Sequence, residues 1–224
     1  SLRIKSGTRG KTEMKNYDIY LFDFDGTTFD TKESLVPVFK SAFAAIGMDC
    51  TPEQAHHYMH QNVLQTLQER NVPTSLYDAF EKAIRKAIDL PEAIQASRPF
   101  PETKEVLSAL QQQGKRVAFV SGNSSHHIQL CLDCWKVNPS HYEFVVGNDE
   151  YKNGKPDPEP ILCALNRMGV SPNSHICYIG DSYQDIECAK AAGVDAIFIS
   201  RNGNDNPPTR PEALIQSLKE LLLG

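Results

Sequence analysis

Apolar residues along the chain fall into two rhythms. Short, nearly unbroken apolar runs occur at residues 17–24, 116–120, 176–179 and 196–199, with a weaker fifth at 144–146. Each is rich in Val, Ile, Phe or Tyr, which suit extended backbone. Strands covered on both faces lose the in–out alternation of a half-exposed strand, so these runs predict a parallel sheet between helical layers. Between them the period lengthens to that of an amphipathic helix. Helices are predicted over 102–113, 159–168 and 185–192, ending at Gly114, Gly169 and Gly193, because glycine readily takes the left-handed conformation that closes a helix.

Residues 30–98 break the alternation and read as helical throughout. Leu35, Phe39, Phe43 and Ile46 share one face; Leu76, Phe80, Ile84 and Ile88 repeat every four residues, with Glu81 and Arg85 paired outside. Thr51-Pro52-Glu53-Gln54 is a capping box with proline at the first helical position. The predicted fold is therefore α/β: a Rossmann-like parallel sheet with helices on both faces, built from 17–29 and 99–224, with an inserted all-helical domain at 30–98. Residues 202–208 read as a surface loop before a last helix. Residues 1–16, basic through Arg3, Lys5, Arg9, Lys11 and Lys15, read as a tail outside the fold.

Composition narrows the function. With 40% hydrophobic and 23% charged residues the chain is ordinarily globular. A net charge of −5 argues against nucleic acid as a partner, and no apolar run approaches the roughly 20 residues that span a bilayer. Without an export signal in the sequence, a cytoplasmic location is expected. The six cysteines are expected to be free thiols, the Cys131–Cys134 pair lacking a second pair at zinc spacing.

In an open parallel sheet, ligands bind at the carboxyl ends of the strands. The residues there form one chemical set. Asp23-Phe24-Asp25-Gly26-Thr27 follows the first strand, Ser121-Gly122-Asn123 the second, and Gly180-Asp181-Ser182-Tyr183-Gln184-Asp185 the fourth, while Gly154-Lys155-Pro156-Asp157-Pro158 precedes a helix. Crowded carboxylates call for a cation, and magnesium suits a site of few carboxylates and several waters. Lys155 and exposed backbone N–H groups would hold an anion, which together is the equipment of phosphoryl transfer.

These four segments, in this order, resemble the motifs of the haloacid dehalogenase superfamily of phosphohydrolases, from about residue 17 to the C-terminus. The resemblance implies that Asp23 is the nucleophile and Asp25 the general acid and base. It implies that Ser121, Gly122, Asn123 and Lys155 bind the phosphoryl group. Magnesium would be held by Asp23, the Asp25 carbonyl and Asp181, with Asp185 assisting. Thr27 is expected to steady Asp25 by a hydrogen bond. The block at 30–98 matches the cap that one branch of the family inserts, joined through a hinge at 26–31. Thr28 departs from the apolar residue usual there and is expected to face the cap. By the same resemblance a substrate-reading loop falls near 59–62, which nominates His60 and Gln61. The expected partner is a small phosphorylated metabolite, phosphoglycolate as first guess; oligomeric state is not legible.

Competing readings weigh against particular residues. His56, His57 and His60 have helical spacing but no HExxH pattern, so a polar cap face is expected; His126 and His127 are expected to be solvated and Trp135 to pack. Gly154-Lys155 is no nucleotide-binding loop, because Pro156 stands where Ser or Thr is required. A dehalogenase has no use for Asp25. A phosphosugar mutase resembling β-phosphoglucomutase shares the core motifs and stays open. A non-catalytic phosphate-binding module would be expected to lose Asp23, Lys155 or Asp181, and all three are present.

Overall fold

The computed structural model describes residues 14–58 and 63–224. The elements are, in chain order, β1 (Ile19–Phe22), β2 (Phe29–Asp30), α1 (Leu35–Ala45), α2 (Pro52–Tyr58), α3 (Val63–Glu69), α4 (Tyr77–Ala87), α5 (Pro91–Ala96) and β3 (Arg98–Pro99). There follow α6 (Thr103–Gln112), β4 (Arg116–Val120), α7 (Ser125–Cys134), β5 (Val145–Val146), α8 (Glu159–Met168), β6 (Ile176–Gly180), α9 (Tyr183–Ala192), β7 (Asp195–Ile199) and β8 (Ala213–Ile215). The main sheet has the order β5-β4-β1-β6-β7-β8, and every neighbouring pair is parallel.

The apolar runs are continuous because both faces of the sheet are covered. Tyr20 and Phe22 of β1 join one core with Val117 and Phe119 of β4 and Cys177 and Ile179 of β6, beneath α6 and α7. Ile19 and Leu21 point the other way, with Ala118, Val120, Ile176 and Tyr178, beneath α8 and α9. Phe119 is fully buried, with Phe22, Phe24 and Tyr142 around its ring; truncating it to alanine would cost about 3–5 kcal/mol.

The helices α1 to α4 enclose a separate core in which Phe39, Phe43, Tyr58, Leu67 and Phe80 are buried. The expected capping box is present: Thr51 N donates to Gln54 Oε1 at 2.9 Å and Gln54 N to Thr51 Oγ1 at 3.2 Å. A two-strand antiparallel ribbon, β2 with β3, joins this block to the sheet and pairs Asp30 with Arg98.

Two expectations are corrected. The loop at 202–208 is present, but no single helix follows it: β8 adds a sixth strand beside β7, and Leu218–Leu223 is a 3-10 helix. The apolar spacing of 213–223 looks helical, but pairing with the open edge of β7 overrides it. Lys15 does not lie in a free tail, since its Nζ is 2.9 Å from Asp195 Oδ2 and Met14 packs on the core; residues 1–13 lie outside the described residues. All six cysteines are free, as expected, and burial pushes the Cys131 thiol up to about 12, which leaves it inert.

Candidate active site

β1 is central, and the chain leaves it for β4 on one side before returning to β6 on the other. This switch point opens a crevice at the carboxyl edge. Asp23 follows β1 there and is buried, with its amide held by the Ile179 carbonyl at 2.8 Å. Lys155 reaches in from the loop before α8. Its ammonium donates to Asp23 Oδ1 at 2.8 Å, Asp185 Oδ1 at 2.7 Å and the Tyr178 hydroxyl at 2.8 Å. Three donors thus meet three acceptors.

Asp185 sits in the first turn of α9, where Ser182 caps the helix and the two form a capping box. Its Oδ2 accepts from Ser182 N at 3.0 Å and Oγ at 2.8 Å, so one oxygen serves the helix start and the other Lys155. Glycines let the acids crowd. A Cβ at Gly26, whose φ is +75°, would lie 2.1 Å from Asp181 Oδ2, and one at Gly180 would lie 2.3 Å from the Asp185 carboxyl carbon. Asp23, Asp181 and Asp185 consequently bring one oxygen each within 4.8 Å of one another.

The electrostatics follow from this crowding. Burial pushes the Asp23 carboxyl well up and Asp185 and Asp25 add to it, while Lys155 works against them. Burial alone would lower Lys155, but Asp23, Tyr178 and Asp185 outweigh it and hold the ammonium well above its ordinary range. Asp181 lies at the open rim, yet the surrounding protein withdraws enough water to raise it to about 6, with Asp185 contributing. Crowded carboxylates with hard oxygen donors fit a divalent cation such as magnesium, and Asp23, Asp181 and Asp185 each offer an oxygen that could hold it.

Around this centre, Ser121 is buried and its Oγ accepts from Asn123 N at 3.1 Å. Gly122 is exposed at the carboxyl edge. Two expectations fail here. Thr27 does not reach Asp25; its Oγ1 donates to Asp181 Oδ1 at 3.3 Å, and Asp25 Oδ2 instead accepts from Asn123 Nδ2 at 2.8 Å. Thr28 does not face the cap. Its buried hydroxyl lies 3.1 Å from the Asp23 carbonyl and 3.2 Å from that of Phe24, a local side-chain-to-backbone bond that turns the group back into the chain.

A cleft of about 250 Å³ opens beside Asp25 and Asn123, lined also by Thr31, Ser34, Leu35, Val38, Ile88 and His127. His127 overturns its solvated reading: it is buried, and its Nδ1 is 2.9 Å from Asp89 Oδ1 on the helical block. His126 is exposed as expected. His56 pairs with Glu33 and His57 with Glu69, outside this cleft. Trp135 packs against the core beside Arg98. His60 and Gln61 lie outside the described residues. Sequence reasoning missed Tyr178, hidden in an apolar strand; the signal was a hydroxyl two residues before Gly180. It also missed Asp89.

Comparison with known proteins agrees with the geometry. Residues 20–199 match the family profile described as haloacid dehalogenase-like hydrolase. A phosphoglycolate phosphatase of Pseudomonas putida is 26% identical over 216 residues, covering 92% of this chain and 79% of the relative. A HAD hydrolase structure from Bacillus subtilis, bound to magnesium, superposes with a TM-score of 0.75 at 20% identity, covering 92% of this chain and 97% of that one. A Thermotoga maritima structure assigned as a β-phosphoglucomutase gives 0.75 at 21%, with 92% and 97% covered. Among the described residues no helix is long and apolar enough to cross a membrane. A parallel sheet with four motif segments gathered at its carboxyl edge, and a profile match over most of the chain, lead to one conclusion: the chain belongs to the haloacid dehalogenase-like hydrolases.

Proposed function

We propose that this enzyme hydrolyses a small phosphomonoester with magnesium, through an aspartyl phosphate on Asp23. The observation that carries the reading is the contact of Lys155 Nζ with Asp23 Oδ1 at 2.8 Å, with Asp25 two residues on beside a small cleft. An Asp23 oxygen attacks phosphorus, the bond from phosphorus to the leaving oxygen breaks, and Asp25 gives that oxygen a proton. Water then attacks the same phosphorus and yields its proton to Asp25, which frees Asp23 and inorganic phosphate. Ser121 and the backbone N–H of Gly122 hold phosphoryl oxygens, the Asn123 N–H being engaged by Ser121 Oγ, and Lys155 neutralises their charge. Magnesium, when bound, supplies further positive charge at the phosphoryl oxygens.

A cleft of about 250 Å³ beside Asp25 and Asn123 is consistent with a small leaving group. Phosphoglycolate is the first candidate, after the names of the curated relatives. Residues 30–98 act as a cap moving on the β2–β3 ribbon, which shuts water out of the reaction. His60 and Gln61 remain the proposed readers of the leaving group on the cap.

The experiment is a panel of phosphorylated metabolites with magnesium, following phosphate and alcohol release, on wild type and Asp23→Asn. Stoichiometric phosphate release that vanishes in the variant supports the reading. More than about 1% of wild-type turnover in Asp23→Asn overturns it, since nucleophile losses cost orders of magnitude. Faster conversion of a sugar monophosphate to its isomer than to phosphate would replace hydrolysis by mutase chemistry.

A further inference from the structure

We infer that Asn123, clamped by Asn148, is a positioning residue that aims the acid–base group Asp25 at the leaving oxygen. This rests on the phosphatase reading above. The family resemblance assigns the aiming of Asp25 to Thr27 and phosphate holding to Asn123, but Thr27 is spent on Asp181. The Asn123 side chain donates from Nδ2 to Asp25 Oδ2 at 2.8 Å. That bond engages Oδ2 and so fixes the orientation of the Asp25 carboxyl group.

The backbone of Asn123 is itself held. Its N–H donates to Ser121 Oγ at 3.1 Å. Its carbonyl accepts from Asn148 N at 2.9 Å, and the neighbouring Gly122 carbonyl accepts from Asn148 Nδ2 at 2.8 Å. Asn148 thereby grips two consecutive peptide units. The loop after β5 is pressed onto the start of α7 to do this: a Cβ at Gly147 would lie 2.1 Å from Ser125 N, and Asp149 accepts from Ser125 N at 2.7 Å and Oγ at 2.6 Å. A segment outside the four motifs therefore fixes the direction of proton transfer.

Aiming an acid matters in proportion to how much the leaving oxygen needs its proton. The test is a series of monoesters from 4-nitrophenyl phosphate, a good leaving group, to phenyl and alkyl phosphates, with wild type, Asn123→Ala and Asn148→Ala. For Asn123→Ala, kcat/KM should fall about 100-fold on alkyl phosphates, within the range general acid catalysis contributes, but by no more than about fivefold on 4-nitrophenyl phosphate. Asn148→Ala should show the same tilt, smaller, and provides the test if Asn123→Ala misfolds. Inhibition by inorganic phosphate should hold within about twofold. A loss equal across the series, with weakened phosphate inhibition, would make Asn123 a phosphate holder and overturn the inference; so would no loss at all. A wild type that hydrolyses none of the series overturns the phosphatase reading and this inference with it, whereas an active wild type with flat variants overturns this inference alone.

Discussion

The Tyr178 hydroxyl lies 2.8 Å from Lys155 Nζ, and it supplies the third acceptor that the ammonium needs beside Asp23 and Asp185. Tyr178 stands on β6 and is buried, with the Val120 carbonyl at 3.2 Å and Asp185 Oδ1 at 3.3 Å as acceptors for its own proton. The sheet thus orients the lysine from beneath. Tyr178→Phe keeps the ring and removes one hydrogen bond to a charged group, about 1.5–3 kcal/mol where buried. Steady-state kinetics should show kcat down roughly tenfold or more, with KM little changed and near-native circular dichroism. An unchanged kcat would show that Lys155 needs only its two carboxylates.

Magnesium binding should depend on pH through Asp181. Its carboxyl is raised to about 6 by withdrawal from water and by Asp185, and a protonated carboxyl must lose its proton before it can ligate. Titration calorimetry should find affinity falling about tenfold per pH unit below that value and levelling above it. In the metal-free protein the native state holds more protons than the unfolded chain between the ordinary value near 3.8 and about 6. The contribution of this group to stability is therefore present at low pH and lost as pH rises through about 6. Added magnesium should restore it at neutral pH.

Gly26→Ala should abolish magnesium-dependent turnover. The residue has φ +75°, and a Cβ there would drive into Asp181. Left-handed strain costs about 1–2 kcal/mol, a moderate loss that a thermal melt will read. Displacing Asp181 should cost far more in activity, at least about 100-fold, than this loss of stability explains. Retained activity would mean that Asp181 can move aside and still serve.

The contact of His127 with Asp89 ties the helical block to α7 at one wall of the cleft. Asp89→Ala leaves a buried imidazole nitrogen without its partner, about 1–3 kcal/mol. If that contact holds the cap over the substrate, KM should rise roughly threefold to tenfold for a metabolite substrate. Small aryl phosphates, making fewer cap contacts, should change less. An equal effect on both would place the pair in folding stability and not in closure.

Much of this protein was legible as residue pattern. Continuous apolar runs placed strands within a residue or two for β4, β6 and β7, because a strand covered on both faces needs nothing else. The helical register of Phe39, Phe43 and Phe80 located a second core. The motif segments at strand ends nominated Asp23, Asp25, Lys155, Asp181 and Asp185, since topology gathers strand ends whatever lies between them. Contacts between segments distant in sequence were another matter. Thr27 bonds Asp181 and not Asp25, Asn123 takes its place, and His127 leaves water for Asp89. The same residue types satisfy several partners, and only the packed distances choose among them. β8 follows the same rule: its helical spacing yields to the unpaired edge of β7, because an open row of backbone donors and acceptors rewards pairing more than local propensity opposes it.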